Sequence, residues 1–142
     1  MDHGIEDAKT RVSQGKEIFG TINISIEQNE GLLALSIQDD GRGLNLSALS
    51  QKTGIRIDEH QKLAESVFSD GLSTAEKVTS ISGREVGLSS VRGDIRAVGG
   101  DIILKFADKT QSHHQYRPFA FVCTLPIALF GTGPIANFDR SA

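Results

Sequence analysis

Two stretches in the first third of the chain alternate apolar and polar residues. In "GTINISIEQNEGLLALSIQDD", Ile22, Ile24 and Ile26 point one way, and Leu33, Leu35 and Ile37 do the same after "QNEG". A period of two is that of a strand with one covered face, so the spacing predicts a hairpin of two half-buried strands. "LNLSALSQKTG" and "DEHQKLAESVFSDG" read as short helices joined by loop, with Asp58 the expected cap of the second. From Val86 the period lengthens: Leu88, Val91, Ile95 and Val98 share one face of a helix that Gly99-Gly100 should stop. "DIILKF" and "PFAFVCTLPI" read as strands on either side of the polar "ADKTQSHHQYR". Four strands with helices gathered on one face make an α+β sandwich. The closing "GTGPIANFDRSA" reads as a frayed tail.

Composition narrows the class. A chain of 142 residues suits one domain, and 38% hydrophobic with 23% charged residues is a globular balance. The formal charge of -3 offers no broad basic surface, which argues against nucleic acid as a partner. A single cysteine, Cys123, rules out an internal disulfide and sits in "FAFVCTLPI", where a small apolar role is expected. No apolar run approaches the roughly 20 residues of a membrane span, and "MDHGIEDAKT" lacks the features of a secretion signal. A soluble, cytoplasmic protein without membrane contact is expected.

The strongest local chemical signal is Asp39-Asp40-Gly41-Arg42-Gly43, where a predicted strand ends. A carboxylate there can accept from the amino group of a flat base while the glycines let backbone approach closely. The same five residues also make a good turn. His113-His114 lack cysteine or carboxylate neighbours at ligand spacing, no metal site is predicted, and no Ser-His-Asp or Cys-His nucleophile pattern stands out.

The order of motifs then carries a resemblance. "IQDDGRGL" is followed by "VFSDGLSTAE" (Val67 to Glu76), by "SGREVGLSSV" (Ser82 to Val91) and by a strand ending "TLP", while "MDHGIE" opens the chain. This series resembles the ATP-binding domain of CheA-type chemotaxis histidine kinases, within the wider group of ATPases that includes gyrase. The likeness runs from Met1 to about Ile127. It implies a Bergerat-type two-layer α+β sandwich, a mixed β-sheet with helices on one face, over residues 1–128, with 129–142 as a tail. Carried onto this chain, Asp39 would accept from the adenine amino group, and Gly41 and Gly43 would shape the base pocket. Gly71, Ser73 and Thr74 would belong to a lid. Gly83, Arg84 and Gly87 would approach the phosphates at a helix start, a placement that open amides and the helix dipole favour. Asp2 and His3 match the end of the first-helix motif, with His3 near the phosphate side.

Three positions depart from the family pattern. The family's magnesium-binding asparagine would precede Met1, so the chain is expected to be a piece of a longer kinase or a product from an internal methionine, with Mg2+ bound in the parent protein. Glu85 stands where the family has a glycine; it caps the helix through the S-x-x-E spacing from Ser82, faces solvent beside ATP, or discriminates nucleotides. Ala48 stands where the family offers a lysine, with Lys52 about one turn further. Ser73 and Glu76 also have capping-box spacing. The resemblance implies ATP as ligand and transfer of its γ-phosphoryl to a histidine on a separate domain, with a response regulator downstream and dimerisation through domains outside this chain. The rival readings are a degenerate, non-catalytic nucleotide-binding or protein-interaction module, and an ATPase that hydrolyses rather than transfers.

Overall fold

In a computed structural model, which describes residues 4–69, 87–107 and 116–131, the alternating stretches form the predicted hairpin. Strand β1 (Ile22–Asn29) pairs antiparallel with β2 (Leu32–Asp39), placing Ile24 opposite Ile37 and Ile26 opposite Leu35. A short helix α1 (Ala8–Ser13) precedes them, its N-terminal amides capped by the Asp7 carboxylate. Nothing in the apolar pattern predicts α1, because "AKTRVS" has no apolar stripe and the cap alone starts it.

After β2 come β3 (Leu44–Asn45), α2 (Leu46–Thr53), α3 (His60–Ser66), α4 (Leu88–Ala97), β4 (Asp101–Phe106), β5 (Tyr116–Arg117) and β6 (Phe119–Pro126), ending in a 3-10 turn at Ile127–Leu129. The four long strands form one sheet in the order β1-β2-β6-β4, and β3 with β5 makes a two-stranded ribbon. Every described pairing is antiparallel.

Register puts the apolar residues on one face. Leu35 lies opposite Cys123 and Ile37 opposite Phe121, and these in turn lie opposite Ile102 and Leu104. On that face Ile102 and Leu104 are buried with Leu46, Leu49, Leu63, Ala64, Val67 and Phe68 of the helical layer. The expected two-layer sandwich is therefore present, its core lying under β4 and β6.

The β1 half is different. Ile22, Ile24 and Ile26 are 60%, 63% and 64% exposed, and no described helix covers them. The expectation that both hairpin strands are half-buried holds for β2 and fails for β1: the alternation is correct, but among the described residues no layer packs on that end of the sheet.

One predicted cap is corrected. Glu59, not Asp58, is the N-cap of α3 and makes no side-chain cap bond, because the Asp58 carboxylate accepts from Arg56 instead. The N-cap of α4 is Gly87; Ser82 and Glu85, with the S-x-x-E spacing of a capping box, lie outside the described residues. The α4 stripe itself packs through Ile95, while its buried residue is Arg92, which donates to Glu65 and Asp101.

Candidate functional site

Strand β2 delivers Asp39 to the apolar face of the sheet, in line with Leu33, Leu35 and Ile37. The carboxylate is half-buried there, and its Oδ1 accepts from the Gly41 amide at 2.9 Å. Among the described residues no partner is found for Oδ2. A half-buried carboxylate with a remaining acceptor, set beside apolar side chains, can receive an N–H from a flat heterocycle that packs against those side chains.

The glycines have a reason visible in the backbone. A Cβ on Gly41 would collide with the Gly4 carbonyl oxygen and crowd Asp39 Oδ1 at 2.7 Å. Gly4 itself accepts from the Arg42 amide at 3.0 Å, so the segment before α1 lies directly on the turn. Gly43 has φ +83° and touches the Arg117 carbonyl, where a side chain would be both strained and obstructed. Both glycines thus admit neighbouring backbone, whatever space they also leave for a base.

Behind the turn sits an ionic cluster that the motif pattern does not reveal. Arg11, 1% exposed, donates to both carboxylate oxygens of Asp40 at 3.1 and 2.8 Å, and to the Glu17 and Phe19 carbonyls. Lys16 Nζ donates to Glu6 Oε1 and to the carbonyls of Asp40 and Gly41. Asp40 also accepts from the Thr21 amide. The Arg11 hydrogen bonds, with the Thr21 amide, hold the Asp40 carboxyl below the usual range. Burial pushes Glu6 up, but the Lys16 hydrogen bond and the charges of Lys16 and Arg11 bring it below its ordinary value.

The other end of the expected site is α4. Gly87 is exposed, its φ of −72° suits any residue, and having no side chain it gives the first-turn amides no side-chain cap. His3, Gly71, Ser73, Thr74, Gly83 and Arg84 lie outside the described residues, as do Glu85 and His113-His114. Ala48 donates its amide to the Asn45 cap of α2, and Lys52 lies in the last turn of that helix. Of the expected site residues, the structure brings Asp39, Gly41 and Gly43 together. It adds Gly4, Arg11, Lys16 and Arg117, which sequence reasoning missed; no local spacing announces them, since Arg11 meets Asp40 across 29 positions.

Among the described residues no three His, Cys, Asp or Glu side chains converge as metal ligands. No helix among these residues is long and apolar enough to cross a membrane.

The family described as histidine kinase-, DNA gyrase B- and HSP90-like ATPase matches residues 2–129. The chemotaxis protein CheA of Klebsiella aerogenes is 36% identical over 108 residues, 72% of this chain and 17% of that protein. CheA of Bacillus subtilis is 32% identical over 117 residues, 76% of this chain and 17% of its own length. The catalytic domain of the histidine kinase ThkA superposes with a TM-score of 0.48 at 20% identity, covering 86% of this chain and 70% of that one. The chain spans about a sixth of the length of the curated relatives it matches. With a match that runs over nearly its whole length, the chain belongs to the histidine kinase-, DNA gyrase B- and HSP90-like ATPase family, as a domain of the CheA-like kind.

Proposed function

We propose that this domain binds ATP as the catalytic domain of a CheA-like histidine kinase, presenting the γ-phosphoryl to a histidine on a separate domain in two-component signalling. The observation that carries this reading is Asp39: a half-buried carboxylate on the apolar face of the sheet, one oxygen oriented by the Gly41 amide. Oδ2 would accept from the adenine amino group, and the neighbouring apolar side chains would pack against the ring. The first turn of α4 after Gly87 supplies amides and a dipole suited to phosphate. By their place in the family motifs alone, Gly83 and Arg84 would serve the phosphates too, and Gly71, Ser73, Thr74 and His3 would serve the rest of the pocket. The protein's share of the chemistry is positioning and charge stabilisation, with no covalent intermediate. Magnesium, when bound in the parent kinase, would neutralise charge on the phosphate oxygens. The phosphoacceptor domain and a response regulator are the expected partners, in the cytoplasm.

A second reading, a non-catalytic interaction module, is favoured by the open apolar side chains of Ile22, Ile24 and Ile26. Calorimetric titration of ADP into the chain separates the two. Micromolar binding that Asp39→Asn abolishes supports the nucleotide site; no binding at any accessible concentration removes it and leaves the interaction module.

A further inference from the structure

Asp39 is held from behind by contacts that base recognition does not itself use. The Asp40 C=O and the Gly41 N–H belong to one planar, trans peptide unit, so they point in opposite directions and turn together. The carbonyl accepts from Lys16 Nζ at 2.9 Å, and the N–H donates to Asp39 Oδ1 at 2.9 Å. Through a single peptide plane, the lysine sets the direction of the donor that orients the carboxylate.

Lys16 has no spare donor. Its remaining protons go to the Gly41 carbonyl at 3.1 Å and to Glu6 Oε1 at 2.9 Å, which uses the three N–H bonds of an ammonium. Arg11 closes the arrangement from the other side by gripping both oxygens of Asp40, and the Thr21 amide adds a third hydrogen bond to that carboxylate. Rotation of the Asp40–Gly41 peptide would break the Lys16 and Asp39 contacts together.

We propose that Lys16 is a positioning residue for base recognition: by fixing the Asp40–Gly41 peptide it orients the Asp39 carboxylate, and it thereby sets a preference for a base with an exocyclic amino group. This role rests on the adenine reading of Asp39. All three Lys16 donors are used within the protein, so its effect must appear in discrimination between bases rather than in affinity for phosphate.

The test compares ADP with inosine diphosphate, which has the same sugar and phosphates but an oxygen in place of the amino group. Both are titrated calorimetrically into the full 142-residue chain and into Lys16→Met and Lys16→Arg. Lys16→Met should weaken ADP about tenfold, the scale of one misdirected charge-assisted hydrogen bond, and leave inosine diphosphate nearly unchanged. Lys16→Arg should give an intermediate ratio, since a planar fork cannot serve three acceptors gathered about one nitrogen. Equal weakening of both nucleotides, or of neither, overturns the proposal. If the unaltered chain itself does not prefer ADP, the adenine reading of Asp39 fails and this role falls with it. Should Lys16→Met not fold by circular dichroism, Lys16→Arg decides alone, and an unchanged ratio there overturns the role of Lys16.

Discussion

At the scale of single residues, the turn after β2 is constrained from several directions. Gly43 combines a left-handed backbone with contact against the Arg117 carbonyl. Gly43→Ala should therefore destabilise the fold by at least about 1 kcal/mol, read as a lower urea midpoint with unchanged slope. Gly87→Ala is the control: its φ is ordinary, and among the described residues a Cβ would meet only Ser89 Oγ at 3.5 Å, so the midpoint should move little. Asp39, Gly41 and Gly43 were legible as a motif because they are adjacent in sequence. Arg11 and Lys16 were not, because an ion pair between distant positions leaves no spacing to read. Arg92 shows the same limit: no spacing in sequence singles it out, yet it is buried over the Phe68 ring with Glu65 and Asp101 as partners.

At the scale of elements, period proved a good guide to type and a poor one to burial. The strands around Ile24, Ile37, Leu104 and Phe121 are all where alternation places them. The ribbon β3–β5 has two residues per strand, too few for any period to show, and the Arg117 side chain in it is fixed by stacking on Phe106 rather than by pattern. The uneven covering of the sheet gives a direct comparison. Leu63→Ala, at a fully buried position, should cost about 2 to 5 kcal/mol in urea unfolding. Ile24→Thr on the open face should cost less than about 1 kcal/mol, since most of that side chain is already in water. The open isoleucines should also bind an apolar dye such as anilinonaphthalene sulfonate in the native state, and Ile24→Thr with Ile26→Thr should reduce the signal.

At the scale of the whole molecule, three carboxylates tie distant segments together. Asp101 accepts from Arg92 and Arg96, Asp40 from Arg11, and Glu6 from Lys16; all three are held below their ordinary ranges. A depressed folded pKa means that the unfolded chain binds protons first. The stabilisation is complete above the ordinary carboxylate value of about 4, and is lost as pH falls from there through the folded values. The urea midpoint should be flat from about pH 5 to 8 with respect to these groups and drop below about pH 4. Asp101→Asn should lower the midpoint at neutral pH and make the acid drop shallower, though solvent screening moderates the effect because this side chain is 36% exposed.

The chain by itself determined the strand and helix types, the single apolar face and the order of glycine motifs, since each depends on neighbours a few positions apart. Only the tertiary structure decided which part of that face is covered, that Gly87 is the N-cap of α4, and that Lys16 reaches Asp39 through one peptide plane. These are outcomes of long-range contact. Periodicity states which side of an element prefers burial, but what arrives to bury it, and which charge arrives to hold a turn, depends on segments brought together only when the sheet and its helices close.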